Sequence, residues 1–331
     1  MKKHLQAKVK HHHVWDSYIR RWSDNKRDVW HTTNAGNVAH GSAKGLARED
    51  NFYQIQPLMK AHVDAIKGMS ELSPKPLQKQ HMSYLKDFLK RQHIENLYIE
   101  SGIKDEEAEQ LLHATKCNML EDLHSAHENE VNPIIAKLAD RDLSVLDDFK
   151  NQCLFVQFFG HQISRTKTFK DSIIAGFARA DSKTETQLAK TMEECWWFLS
   201  YMLGMSMGAD IFSTRKEDRH CLLINDTDTP FITSDQPVVN VHRALTDEVK
   251  PPEDHQCDFY YPISPTVAFM VNKSDRFPSG KVQVSVDIVY EMNIKIAKKA
   301  NVHLFSISKE SLKPYKKHIK TNLNAIKNHV E

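Results

Sequence analysis

The chain has little of what marks most specialised architectures. Its five cysteines, Cys117, Cys153, Cys195, Cys221 and Cys257, stand far apart and include no C-x-x-C pair. An odd, scattered set excludes a disulfide frame or a zinc ribbon and reads as reduced thiols in a cytoplasmic protein. With only 10 Gly and 12 Pro in 331 residues, collagen-like and low-complexity classes are excluded as well. The longest apolar stretch, residues 196–207, is interrupted and falls short of the roughly 18 residues of a membrane span. The basic amino terminus has no apolar run behind it, so it does not read as a signal peptide. P-loop, G-x-G-x-x-G, H-E-x-x-H and G-x-S-x-G patterns are all missing.

Neither sign of charge dominates, since 45 Lys and Arg face 43 Asp and Glu for a net charge of +2. A uniformly basic nucleic-acid coat is therefore excluded. The distribution is uneven, however. Residues 1–27 carry +6 and residues 295–331 carry +7, leaving −11 for the body between them. Basic ends around an acidic body permit a local anion-binding surface that could receive nucleic acid.

Periodicity predicts mostly helix over residues 57–215. Pro74 and Pro76 open one helix, residues 105–138 form a long one containing Pro133, and Ser144 with Asp147 reads as a capping box for a helix to Thr168. Ser182 with Glu185 repeats that signature before a helix through Met207. Upstream, Val14, Tyr18 and Trp22 recur at helical spacing, and residues 29–31 and 51–55 read as short extended pieces. After Asp218, the apolar runs 221–224, 231–233, 238–241, 258–264, 266–272 and 282–290 predict strands. Helix returns at 293–299 and over about 310–330, with Phe305 in a strand between them. The fold class expected is α+β, a mostly helical first two-thirds with a β-rich segment (about 219–306) packed on it, in one domain spanning 1–331.

Four polar patterns stand out. In His11-His12-His13 an extended backbone puts His11 and His13 on one side and His12 on the other, and imidazole can move protons or ligate a metal near neutral pH. In the second, Gln162 and Arg165 share a face of an almost wholly apolar helix with Phe158 and His161. A cation there needs a carboxylate, a carbonyl cluster or an anionic ligand. Third, Asp235 sits at a strand end before Pro237. Fourth, Glu121-x-x-His124 and His127-Glu128 have the spacing of helical metal ligands, a kind of site that needs a second matching helix.

Taken in order, His11-His12, Tyr18-Ile19-Arg20, Trp22, Glu128, Gln162-x-x-Arg165-Thr166, Thr233-Ser234-Asp235-x-Pro237-Val238, Pro262-Ile263-Ser264-Pro265, Asn293 with Ala300, and Phe305-Ser306 resemble the bacterial domain-of-unknown-function family 4238. The resemblance runs from His11 to Ser306 and departs at His13, Trp15 and Lys167. It implies that His11, His12, Gln162, Arg165 and Asp235 form one recurring polar set, and it carries no settled activity. The set fits a hydrolase of a phosphate-containing substrate, foremost a nuclease. His11 or His12 would be general base or metal ligand, Asp235 its orienter or a further ligand, Arg165 the phosphate-binding cation and Gln162 an orienter. A divalent metal is permitted, with His11, His12, Asp235 and Glu128 as candidate ligands. The alternative is a non-catalytic binding or regulatory protein in which Arg165 and Asp235 form a structural ion pair.

Overall fold

A computed structural model of the chain describes residues 5–178, 183–245 and 252–328. Its helices in chain order are α1 Asp16–Ile19, α2 Lys60–Glu71, α3 Lys75–Glu100, α4 Glu106–Ala139, α5 Phe149–Ser164, α6 Lys167–Ala178, α7 Lys183–Glu194, α8 Trp196–Thr214, α9 Val286–Lys299, α10 Lys309–Leu312 and α11 Thr321–Asn328. The strands are β1 Lys10–His12, β2 Asp28–Thr32, β3 Val38–Ser42, β4 Arg48–Asp50, β5 Arg219–Ile224, β6 Thr233–Ser234, β7 Val239–Asn240, β8 Asp258–Ser264, β9 Val267–Asn272, β10 Gly280–Gln283 and β11 Leu304–Ser306. The fold is mixed α+β, and the described residues between 60 and 214 are mostly helical, as expected.

Several local expectations are corrected. Asp148, not Ser144, caps α5 by accepting the Asn151 amide at 2.8 Å, and Ser144 lies in a preceding 3-10 turn. The expected helix through Met207 is two helices that break at Cys195, whose ψ of 20° leaves the helical range; Ser182 lies outside the described residues. Residues 51–53 turn rather than extend, and the run 282–290 is a short strand followed by the first turn of α9. The carboxy-terminal helix is broken into α10, a 3-10 turn and α11.

The strands are also more dispersed than the patterns suggest. A five-stranded sheet has the order β10-β5-β9-β8-β7, all antiparallel except β10 beside β5. A four-stranded sheet, β3-β2-β11-β6, joins the amino-terminal hairpin to the carboxy-terminal strands, with Phe305 opposite His31. A ribbon pairs β1 with β4.

Alternation along β5 explains its unbroken apolar run. Leu222 and Ile224 enter a core with Phe155 and Phe159 of α5, whereas Cys221 and Leu223 face Met292 and Ile296 of α9. With both faces covered over 221–224, no polar position is left there, and the polar Arg219 and His220 stand at the strand's less buried start. A third cluster, which includes Leu85, Phe88, Trp197 and Met202, holds the helices together. Polar side chains of the recurring motifs tie these layers. Tyr18 donates to the Pro262 carbonyl at 2.7 Å, and the Trp22 indole donates to the Phe231 carbonyl at 2.7 Å. Asn293 accepts the Ile232 amide at 2.9 Å. In these residues the family pattern is a structural frame.

Candidate functional site

β1 lays the three histidines along the seam between the helical layer and the amino-terminal ribbon, and its pleat sorts them. His11 and His13 are buried, and His12 faces outward and is half-buried, as alternation requires. His11 accepts the Tyr53 amide on Nδ1 at 2.8 Å and donates from Nε2 to the Lys8 carbonyl at 2.7 Å. Both ring nitrogens are spent on backbone, so His11 anchors the turn at residue 53 and is neither base nor metal ligand. His13 packs at a tilt against Phe52 and leaves a buried Nδ1 without a partner. Burial, then the Arg165 charge, pushes its pKa down to about 3, so it stays neutral.

His12 differs. Its Nδ1 lies 3.7 Å from Glu121 Oε1, and its Nε2 lies 3.2 Å from the Lys44 carbonyl. The two side chains keep 22% and 13% of their surface exposed. The Glu121 carboxylate raises the His12 pKa above its usual value against the opposing effect of burial. Burial pushes Glu121 upward, but His12 and Arg165 bring it below the usual carboxylate range. Both shifts favour the charged forms of the two partners. Arg48 stands directly opposite His12 in the β1–β4 register, which puts both side chains on one face of the ribbon.

Arg165 closes α5 and is 2% exposed. Its Nη1 donates to Glu128 Oε1 at 2.7 Å, its Nη2 to the His12 carbonyl at 3.1 Å and its Nε to the His13 carbonyl at 3.3 Å. Tyr53 in turn donates its hydroxyl to the Arg165 carbonyl. Burial disfavours the guanidinium charge, and Glu128 with Tyr53 and Glu121 more than restores it. Arg165 thus finds the carboxylate and carbonyl cluster that a buried cation requires. The carboxylate is Glu128 and not Asp235, and each guanidinium nitrogen of the sealed Arg165 already has a partner within the protein. Glu128 is likewise spent on Arg165.

Asp235 does a separate job. It is buried, and its carboxylate accepts the amides of Asn301, Val302 and His303 at 2.7–2.9 Å, closing the turn between α9 and β11. Burial raises its pKa, and those amides oppose the rise. It neither orients a histidine nor stands free for a metal. Its neighbour Gln236 accepts the Thr166 hydroxyl, which is how the Arg165-Thr166 and Asp235-x-Pro237 motifs meet. Gln162 is fully buried with both amide atoms unpartnered, as are the side-chain polar atoms of the buried His124, His161 and Ser164. His161 stacks on Tyr201 of α8 at 4.6 Å and meets His127 at a tilt of 36°, 5.3 Å between centroids. Among the described residues no group of three His, Cys, Asp or Glu side chains is arranged to hold a metal ion.

At the three departures, Trp15 packs edgewise on Phe158, His13 fills the Arg165 seam, and Lys167 pairs with Glu49. Two residues of the His12 site, Glu121 and Arg48, were not assigned to it from the sequence. Glu121 had a signal, because Glu121, His124 and Glu128 recur at i, i+3 and i+7 and must share a helix face. Arg48 had none, since its place follows only from strand register.

No curated protein and no solved structure matches this chain. The model of a family described as "Protein of unknown function (DUF4238)" matches residues 10–310. With nearly the whole chain covered and the motif residues tied into one frame, the protein belongs to the DUF4238 family.

Proposed function

We propose that the protein is a hydrolase of phosphate-containing substrates, nucleic acid foremost, with His12 as its proton-transfer group. The observation that carries this reading is the partly exposed His12–Glu121 pair with Arg48 across the ribbon. A raised imidazole pKa favours the protonated ring that a general acid needs. Arg48 supplies a cation on the same face, and its guanidinium suits a phosphate. Water would add at phosphorus as the bond to the leaving oxygen breaks. The His12 proton would go to that oxygen, and the neutral ring would take the proton given up by the water. Arg165 acts behind the site as a positioning residue, because it grips the carbonyl of His12 itself. The basic ends would add sequence-independent contacts to a nucleic-acid backbone.

A non-catalytic binding protein is the second reading, favoured by one observation: His11, Arg165 and Asp235 all spend their polar atoms in structural bonds. The test is incubation of the purified protein with RNA and with DNA, each with EDTA and with added divalent metals, beside the His12→Ala and Arg48→Ala variants. The hydrolase reading expects cleavage that falls about 100-fold or more in His12→Ala and falls also in Arg48→Ala. Cleavage indifferent to His12→Ala overturns the site, and no cleavage of any nucleic acid moves the assignment to the binding reading.

A further inference from the structure

The α3–α4 hairpin, on a different part of α4 from the Glu121 and Glu128 turns, encloses a cavity of about 430 Å³. That volume lies within the range of small-molecule sites, roughly 300–1,000 Å³. Its walls are largely apolar, with Leu58, Phe88, Ile94, Ile99, Leu112 and Trp197 among them. Ile94 and Ile99 are more than half exposed to water, as are Leu97 and Ile103 nearby on the hairpin. Apolar residues gathered around a cavity mouth mark a binding surface more often than plain solvent-facing helix.

The polar groups of the lining select the ligand. Gln92 is committed, since it accepts the Leu58 amide at 2.8 Å and donates to the Leu58 carbonyl at 3.2 Å. Lys116 is committed to Glu95. Two donors remain. Among the described residues Arg91 has no carboxylate partner, and its one hydrogen bond runs to the Met119 sulfur at 3.2 Å, a weak acceptor. Trp197 is 4% exposed, and its indole N–H is buried with no acceptor. An apolar cavity offering one unpaired guanidinium and one unpaired N–H asks for an apolar body bearing acceptor oxygens with negative charge.

We propose that this cavity binds an acyl-chain carboxylate, with the chain against Phe88, Ile99 and Leu112 and the carboxylate on Arg91. The site is separate from His12 and does not depend on the hydrolase reading. An adjoining cavity of about 320 Å³ shares Glu95, Ile99, Leu112 and Lys116, so a chain longer than the first cavity has a place to continue.

The test is isothermal titration of the full chain with decanoate and with decanol, which has the same chain without the charge. Decanoate binding tighter than decanol, and weakened about tenfold or more in Arg91→Gln, is the expected result. Arg91 is exposed, so its substitution leaves folding intact. As a second variant, Leu112→Trp fills the cavity and should abolish binding while far-ultraviolet circular dichroism stays unchanged. Failure of decanoate to bind, equal affinity for decanol, or binding indifferent to both substitutions overturns the proposal.

Discussion

Arg165 shows most clearly how a polar motif residue can be structural. Removing it would leave Glu128 buried without its cation and the His12 and His13 carbonyls without their donor. Arg165→Met should therefore cost about 3–5 kcal/mol in urea unfolding, and a second change, Glu128→Leu, should recover much of the loss. A single variant as stable as the parent would mean that the pair is not sealed. Asp235→Ala strips three amides of their acceptor and should cost about 3 kcal/mol or more by the same measurement. At His12 the change concerns protons. Glu121→Gln removes the charge that holds the imidazole protonated, so the His12 midpoint in an NMR titration should move down. The need for an Arg165 partner was legible from one buried helix, but its identity was not, because Glu128 reaches it from another helix 37 residues earlier. The carboxylate at 235 looked free because its partners, the amides of 301–303, leave no trace in side-chain identity.

At the scale of elements, α5 and α8 approach as closely as their glycines allow. A Cβ on Gly160 would lie 2.4 Å from the Gly204 carbonyl oxygen, and one on Gly204 would lie 2.3 Å from His161 Nδ1. Gly160→Ala meets backbone that cannot yield and should destabilise by about 3 kcal/mol or more in thermal unfolding. Gly204→Ala pushes against His161 and Ser164 side chains and should cost less, about 1–3 kcal/mol. If the two were equally mild, the helices would have to be further apart. The helices were legible because their apolar stripes are local and long. The four-stranded sheet was not, because β2 finds β11 some 270 residues away and neither strand alone exceeds five residues. His11, His12 and the residue just past β1, His13, could be sorted into inner and outer faces by alternation alone, and that sorting holds.

For the whole molecule, buried histidines set the response to acid. Burial keeps His13, His124 and His161 neutral well below their usual range. The unfolded chain binds protons at those positions near pH 6.5, whereas the native chain does not. Their contribution is therefore complete above pH 6.5 and lost as pH falls, by up to about 4 kcal/mol per pH unit for three such groups. His12 has the opposite sign, since its contribution is present below pH 6.5 and fades as pH rises through its raised native pKa. Urea midpoints should drop steeply between pH 7 and about 5, and a flat profile would contradict burial of the neutral rings. The net charge of +2 conceals basic ends that could meet a polyanion, so the most direct test of His12 is the pH profile of RNA cleavage in the parent and in Glu121→Gln. If His12 acts as the acid, the parent loses activity as pH rises through the raised His12 pKa, and the same limb moves to lower pH in Glu121→Gln. A limb that stays in place would show that the proton comes from elsewhere.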